Sequence, residues 1–512
     1  MEPSIPGPGA GLRVPRNDGG SVAPAPLGEW NPQALVSVVV PAYGGQDKLD
    51  LVLAGLAAQT YPAALMETIV VDDGSEPPLR LPQLRPEGTR LVAAGPWGIA
   101  AAVAAGVRAS RGAIVLRLDS DVVPAAAHVE AHARWHHLAD YFAVVGKLAF
   151  ADADVAALTP EGVRDAVAAG SVPSLFAGRE VSADWEIALV RESGGVVEDP
   201  VRAFTIANGA TISFTRAMFD DCGGMDEAVR LGSDTEFGYR LAQHGALFIA
   251  DGEAGAWHLG LSQLKTRRAE GKRYRRPFAA NRIPPLRHLR SMPGVQWEVP
   301  YAEVVVDAAG ARLEPVRATV GAVLGGTLAD VAVVLTGPWS ELHEDRVAPL
   351  EDPLLDLRLI RETFRGDPRV SFAEHAPEGP SRVPFRLRLA PGAVPHRDGL
   401  EAMIAHADSR RLGRVDTAVP SKAGPLRARL DRTAALARAD RLAKPGESPD
   451  DLLAELWGAE TAAPDPWFAV GDTRTREIAR LRAELARLEA APPARRSLPR
   501  RAAGRLRRLF KG

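Results

Sequence analysis
Two hydrophobic rhythms alternate along the first half of this chain. Val36 to Val40 is a short apolar, β-branched run stopped by Pro41, which reads as a buried strand. Asp47 to Gln59 follows with Leu49, Leu51, Leu53 and Leu56 at helical spacing. Thr68 to Val71 is a second buried run that leads straight into Asp72-Asp73-Gly74-Ser75. Leu91 to Ala93, an Ala/Gly-rich helical stretch to Ala109, and Ile114 to Leu118 complete a β-α-β-α-β series. Such alternation implies an α/β fold with a mostly parallel sheet and right-handed crossovers, whose ligands bind beyond the carboxyl ends of the strands. Asp73 and Asp119 fall at such ends.

The second half repeats part of this pattern. Leu387-Arg388-Leu389-Ala390-Pro391-Gly392-Ala393-Val394-Pro395 reads like Leu116-Arg117-Leu118-Asp119-Ser120-Asp121-Val122-Val123-Pro124, and Glu401-Ala402 follows at the spacing of Glu130-Ala131. Upstream, Ala302 to Asp307 parallels the first strand and Val331 to Leu335 the second. An internal duplication is expected. In the copy, Ala390 and Gly392 replace two carboxylates and Leu335-Thr336-Gly337 replaces Asp-Asp-Gly. Beyond residue 420 the composition shifts to Ala, Arg, Leu and Glu. Ile478, Leu481, Leu485 and Leu488 make a short amphipathic helix within 473–491 that suits a homo-oligomer contact. Residues 492–512 carry eight Lys or Arg and no acid, interleaved with Leu498, Leu506, Leu509 and Phe510. That composition suits an anionic membrane surface. The expected organisation is a disordered segment over 1–34, a first α/β domain over 35–296, a degenerate copy over 297–420, and a helical region with a basic tail over 421–512.

Composition narrows the function classes. The 512 residues have a net charge of −2, which gives no bulk attraction to nucleic acid. The single Cys222 excludes an internal disulfide framework and fits a reducing cytosol, as a buried, unreactive thiol. The Pro- and Gly-rich start has no apolar core of a secretory signal, and no window reads as a membrane span. The expected location is therefore cytoplasmic, with peripheral attachment at the inner face of the plasma membrane through the tail. His136 and His137 lie in a polar stretch and are expected at the surface.

The chemistry-bearing residues form an ordered set. Asp119-Ser120-Asp121 ends a strand, Asp234 and Glu236 sit in Gly232-Ser233-Asp234-Thr235-Glu236-Phe237-Gly238-Tyr239-Arg240, and Trp257-His258 follows. A close carboxylate pair suits a hard cation held against a diphosphate, a lone Asp suits a general base, and a His can complete a metal shell. Each piece has a plainer reading. Asp152-Ala153-Asp154 shows that an Asp-x-Asp by itself means little, carboxylates at a helix start often act as caps, and His258 could be a packed core residue.

Together these segments resemble a family 2 glycosyltransferase of the GT-A fold over about residues 35–262. Val38-Val39-Val40-Pro41-Ala42-Tyr43 is similar to the family's first strand and nucleotide-contacting turn, and Val70 to Ser75 to its second-strand motif, where the second Asp reads the pyrimidine. Asn208-Gly209-Ala210 and Gly223 to Glu227 resemble the acceptor-side region. Gly232 to Leu241 and Ala256 to Leu259 resemble segments of chondroitin-polymerase-like and polypeptide N-acetylgalactosaminyl transferases. The resemblance implies donor contacts at Pro41, Tyr43, Asp73, Gly98, Arg117 and Asp119. It implies a divalent ion, manganese or magnesium, on Asp119, Asp121 and His258. It also implies Asp234 as base of an inverting transfer, with Glu236 positioning the acceptor or the loop. The donor would be a nucleotide sugar, UDP-linked, and the acceptor a glycan or lipid-linked glycan of cell-envelope or extracellular polysaccharide synthesis. Two departures stand out. The family's glutamate before the base is Ser233, and its Arg-Asn in the glycine-spaced helix Gly98–Gly106 is Val103-Ala104, so the chain must use other cations or bind the nucleotide more weakly. The available substitutes are Arg117 and the run Lys265, Arg267, Arg268, Lys272, Arg273, Arg275 and Arg276.

Two other classes compete. A sugar-nucleotide pyrophosphorylase would need a longer Gly-rich, Arg-containing loop than Tyr43-Gly44-Gly45-Gln46-Asp47. A non-catalytic nucleotide- or glycan-binding scaffold would not need Asp119, Asp121 and Asp234 together.

Overall fold
A computed structural model describes residues 11–176, 180–181, 202–261, 266–292, 294–343, 345 and 348–469. The amphipathic stretch 473–491 and the basic tail 492–512 lie outside the described residues. Among the described residues, nine strands form the first sheet: β1 (Val36–Ala42), β2 (Met66–Asp72), β3 (Thr89–Ala93), β4 (Ile114–Leu118), β5 (Val122–Pro124), β6 (Phe142–Ala151), β7 (Glu180–Val181), β8 (Thr211–Thr215) and β9 (Leu247–Leu259). Their order is β3-β2-β1-β4-β8-β6-β9-β5, with β7 paired to β6. The first four are parallel, β8 runs antiparallel to β4 and β6, and β9 is parallel to β6.

The continuous apolar character of β1 follows from burial on both faces. Val36, Val38 and Val40 pack with Leu49, Val52, Leu53 and Leu56 of α1 (Gln46–Leu56), while Val39 faces Ala100, Val103 and Val107 of α2 (Ile99–Ala109). Gly106 lets α2 approach closely, since a methyl there would lie 2.9 Å from Val71 Cγ2. Val103 and Ala104, standing where the family has Arg-Asn, are core residues of this contact and do not face a nucleotide.

α3 (His128–His136) corrects a sequence expectation. His136 is 2 % exposed, and His128 and His132 are fully buried, one helical turn apart, against Thr211 and Ser213 of β8. The helix is polar because a polar row of hydroxyls, not water, faces it. The N-terminal segment is a second correction, since residues 11–34 are an ordered strap. Val14 enters the core. The Asn17 side chain donates to the Phe248 carbonyl at 3.1 Å and accepts from the Phe248 amide at 2.9 Å. The Gly28 amide and Trp30 Nε1 both donate to Glu130. Polar composition suggested disorder there, yet Asn17, Gly28 and Trp30 have specific partners across the fold.

Besides a single turn at Val172–Leu175, the further helices described in this half are α4 (Pro160–Ala168), α5 (Arg216–Asp221), α6 (Ser233–Gln243) and α7 (Arg268–Arg282). A second sheet then contains β10 (Ala302–Asp307), β11 (Val331–Thr336), β12 (Val370–Ala373), β13 (Phe385–Leu389), β14 (Arg414–Val419), β15 (Leu426–Arg432) and β16 (Ala459–Thr461). Its helices are α8 (Leu313–Leu324), α9 (Leu355–Phe364), α10 (Gly399–Ser409), α11 (Thr433–Leu442) and α12 (Pro449–Trp457). The order β12-β11-β10-β13-β15-β14-β16 repeats β3-β2-β1-β4-β8-β6-β9, with the same parallel and antiparallel pairings. Register repeats too. Arg117 faces Val39 and Ile212, and Arg388 faces Val305 and Arg429. The Asp119 amide donates to the Ala210 carbonyl at 3.1 Å, and the Ala390 amide to the Arg427 carbonyl at 3.0 Å.

This register shifts one expectation. Val36 pairs Met66 and Ala302 pairs Val331, so Gly337 and Pro338, not Leu335 to Gly337, occupy the positions of Asp72 and Asp73. The second sheet also continues past residue 420 through β15, α11, α12 and β16, which moves its boundary from 420 to about 469. Among the described residues no helix is long and apolar enough to cross a membrane.

Candidate active site
The carboxyl ends of β1, β2 and β4 open on one edge of the first sheet. Pro41 lies within β1 near its carboxyl end, and Tyr43 just beyond the strand is 75 % exposed. Asp72 closes the turn after β2 by accepting from the Ser75 amide at 2.8 Å and the Leu79 amide at 3.0 Å. Burial works to raise its pKa, but hydrogen bonds from Ser75, Leu79 and Gly74 outweigh it and leave the carboxyl below its usual range. Asp73 accepts from the Gly98 amide with both oxygens, at 2.8 and 2.9 Å. The second-strand turn and the start of α2 are thereby joined. Trp97, next to Gly98, is 68 % exposed, and the Arg230 guanidinium lies 4.4 Å above its ring and donates to its carbonyl.

Asp119 and Asp121 leave β4 toward the same edge. Arg117 Nη2 donates to Asp119 Oδ1 at 3.0 Å. Burial is the largest influence on Asp119 and raises its pKa, with Asp121 adding to it, while Arg117 and His258 pull the other way without cancelling it. Asp121 is approached from two sides, by His258 Nε2 at 3.4 Å from Oδ1 and by Lys48 Nζ at 3.4 Å from Oδ2. Lys48 also donates to the Leu259 carbonyl at 2.8 Å. The position of His258 is fixed by the pairing of Val122 with His258 between β5 and β9, and by stacking on Phe150 at 5.0 Å. Among the described residues no group of three or more His, Cys, Asp or Glu converges as a metal cage. The donor set nevertheless fits a hard cation that takes one carboxylate, one imidazole and otherwise water and substrate phosphate oxygens.

Asp234 stands in the first turn of α6, where its Oδ1 accepts from the Thr235 amide at 2.9 Å and Oδ2 lies 3.4 Å from the Gly209 amide. The strip Asn208-Gly209-Ala210 therefore touches Asp234 on one side and, through the Ala210 carbonyl, the Asp119 amide on the other. Gly209 is required there, because any side chain would run into the Arg117 guanidinium. Glu236, expected beside Asp234 in the chemistry, is 2 % exposed and points elsewhere. Its oxygens receive Arg240 Nε at 2.7 Å and Nη2 at 2.9 Å, and Arg382 Nη2 at 3.2 Å. It holds α6 against the second domain. Ser233 is buried.

Of the basic run after His258, Lys265 lies outside the described residues, and none of the others pairs with Asp119 or Asp121. Lys272, Arg275 and Arg276 of α7 line a cleft of about 750 Å3 with Gly232, Thr235 and Glu236. The cations near Asp119 and Asp121 are instead Arg117 and Lys48. The sequence offered no signal for Lys48, Trp97 or Arg230, since an isolated Lys in a helix, an exposed Trp and a loop Arg are ordinary surface residues. Asp152, the comparison Asp-x-Asp, is exposed just past β6.

Residues 37–161 match the family model described as glycosyl transferase family 2. Among solved structures, the chain is similar to the mannosyltransferase PcManGT from Pyrobaculum calidifontis, solved with GDP-Man and Mn2+, at 19 % identity, with 52 % of this chain and 70 % of that chain covered and a TM-score of 0.34. It is also similar to S. aureus TarS 1–349, alone and with UDP, at 16 % identity, with 44 % and 60 % covered and a TM-score of 0.31 in both cases. No curated protein matches. The match to glycosyl transferase family 2 spans residues 37–161 of the first domain and supports a glycosyltransferase.

Proposed function
We propose that this chain moves a sugar from a nucleoside diphosphate sugar, UDP-linked, to a hydroxyl of a glycan or lipid-linked glycan, with inversion. The observation that carries the reading is the strip Asn208-Gly209-Ala210, which bonds to the Asp119 backbone at one end and to Asp234 at the other. Donor-side and acceptor-side carboxylates thus share one short rigid link, as direct displacement needs.

The residues divide the work as follows. Tyr43 and Asp73 border the nucleoside, with Asp73 held in place by the Gly98 amide. Asp121 and His258, with Asp119 beside them, would hold a divalent ion, manganese or magnesium. When bound, that ion neutralises charge building on the departing diphosphate. Arg117 fixes the rotamer of Asp119 through its 3.0 Å bond. Asp234 takes the acceptor's proton, because a neutral hydroxyl is a poor nucleophile. Glu236 positions α6 through Arg240 and takes no proton.

The test is a donor-hydrolysis screen across nucleotide sugars with manganese or magnesium, followed by Asp234→Asn on the active donor. The variant should bind donor normally and turn over about two to four orders of magnitude more slowly. A loss confined to donor affinity would make Asp234 a binding residue and end its role as base.

A further inference from the structure
The cleft beside Asp234 carries more positive charge than its own fold neutralises. Arg202, Lys272, Arg275, Arg276, Arg282 and His288 line it, against the single acid Glu236. Glu236 is already taken by Arg240 and Arg382, and Arg282 is answered by Asp226 at 2.7 Å and Glu298 at 3.4 Å. Arg202, Lys272, Arg275 and Arg276 have no acidic partner among the described residues. Three of these four lie at i, i+3 and i+4 on α7, a spacing at which like charges repel and destabilise a helix. Among the described residues such a cationic face suits an external anion.

The cleft's position says which substrate supplies the anion. It is lined by Gly232 and Thr235, the neighbours of Asp234, and by none of Asp73, Gly98, Asp119, Asp121 or His258. Arg275 crosses the start of α6, its Cδ 2.8 Å from where a Cβ on Gly232 would be. Phe204, Phe278 and Leu289 add apolar surface to the same lining, the usual make-up of a site that orients a ligand with a few polar groups. We propose that the acceptor is anionic. Its phosphodiester or carboxylate groups rest on Lys272, Arg275 and Arg276 while its hydroxyl reaches Asp234. This inference rests on the transferase reading above and adds the chemical class of the acceptor.

The experiment uses the full chain and calorimetric titration with three probes of matched length: a glycerol-phosphate oligomer, an oligogalacturonate and a neutral malto-oligosaccharide. One anionic probe should bind at least about tenfold more tightly than the neutral one and weaken as salt rises. The probe that does so tells phosphate from carboxylate. K272A/R275A/R276A should lose that preference while retaining its melting temperature and its UDP affinity, and Lys272→Arg should keep it. Equal binding of neutral and anionic probes, or full affinity in the triple variant, overturns the proposal. Displacement of the anionic probe by UDP also overturns it, because the charge would then belong to the donor's diphosphate. A chain that binds UDP and neither anion defeats this inference alone. A chain that hydrolyses no nucleotide sugar defeats the transferase reading, and the anion affinities are still measured separately.

Discussion
Acidification from pH 7 to pH 5 should destabilise the first domain through three buried histidines. The hydrogen-bond directions along this row are fixed from one end. His128 Nδ1 lies 2.9 Å from the Gly255 carbonyl, which only accepts, so Nδ1 bears the proton and Nε2 is bare. Thr211 Oγ1 then donates to His128 Nε2 at 2.9 Å and accepts from His132 Nε2 at 3.0 Å. His132 Nδ1 accepts from Ser213 Oγ at 2.9 Å, and Ser213 Oγ accepts from His136 Nε2 at 2.7 Å. His136 Nδ1 is left bare and buried, without a partner. A further proton on His128 or His132 faces a hydroxyl that is already committed, and on His136 it has no receiver.

Burial accordingly pulls His128 down to about 4 and His136 to about 3, with His132 well below its ordinary value. Among the neighbours, Asp251, bound by Arg134 and Trp135, favours charge on His128, and His137 disfavours it on His136. In the unfolded chain these groups titrate near ~6.5. Stability is therefore whole above that pH, falls as the unfolded state takes up protons the folded state refuses, and levels off below the folded values. At pH 5 each of His128 and His136 costs about 2 kcal/mol, together about 4 kcal/mol, at ~1.4 kcal/mol per unit. With His132 the slope approaches ~4 kcal/mol per pH unit, three protons' worth. Native-state hydrogen exchange of β8 and α3 across pH 7 to 5 reads this directly. His136→Gln should reduce the slope by about one proton. A flat profile between pH 6.5 and 5, or an unchanged slope in the variant, would refute the ladder's role.

Other expectations follow from the site and the domain contact. Asp121→Ala should abolish metal-dependent nucleotide binding measured by calorimetry, while Asp152→Ala, on an exposed turn, leaves it unchanged; equal losses would remove the metal assignment. Arg438→Met should lower stability by on the order of 3 kcal/mol, because the buried guanidinium, drawn down to about 10 by burial, serves the Gly245, Ala246 and Arg16 carbonyls, which would all lose their donor. Urea unfolding measures this, and a loss under about 1 kcal/mol would mean that water replaces the side chain. Gln243→Ala removes bonds to the Ser381 and Val383 carbonyls at 2.9 and 3.0 Å and should raise protease sensitivity at the domain junction. An unchanged digestion pattern would make that contact incidental.

The β-α-β frame was legible in the sequence because burial on both faces forces near-continuous apolar runs. Ile114–Leu118 and Ala302–Asp307 are strands with the bounds their patterns suggested. The edge carrying Asp73, Asp119 and Asp121 was legible for the same reason, since strand ends are where apolar runs stop. Side-chain partners across the fold were not. Glu236 has a short-range look of catalysis, but Arg382, 146 positions away in sequence, takes it up. The histidines of α3 look solvated until β8 supplies Thr211 and Ser213. The second domain's true end was hidden because β15 and α11 are rich in Arg and Ala. Their arginines are neutralised by acids that the pattern does not reveal, as with Arg429 on Asp416 at 2.8 Å and Arg432 on Asp408 at 2.7 Å.

The repeated sheet shows what was lost and what replaced it. Ala390 stands at the position of Asp119, with the equivalent backbone bond to the neighbouring strand, so the change removes a carboxylate without disturbing the strand end. Gly337 and Pro338 likewise remove both carboxylates of the nucleotide turn. Ala390, Gly392, Gly337 and Pro338 offer no carboxylate to a cation at this edge. The segment just before β13 instead meets α6 of the first domain: Tyr239 donates to the Arg382 carbonyl, Gln243 holds the carbonyls on either side, and Arg382 reaches back to Glu236. All three contacts fall on the helix that begins with Ser233 and Asp234. A base must hold its place to within a fraction of an ångström to work, and a helix end by itself frays. The second domain thus contributes rigidity to the helix that bears Asp234 through these three contacts.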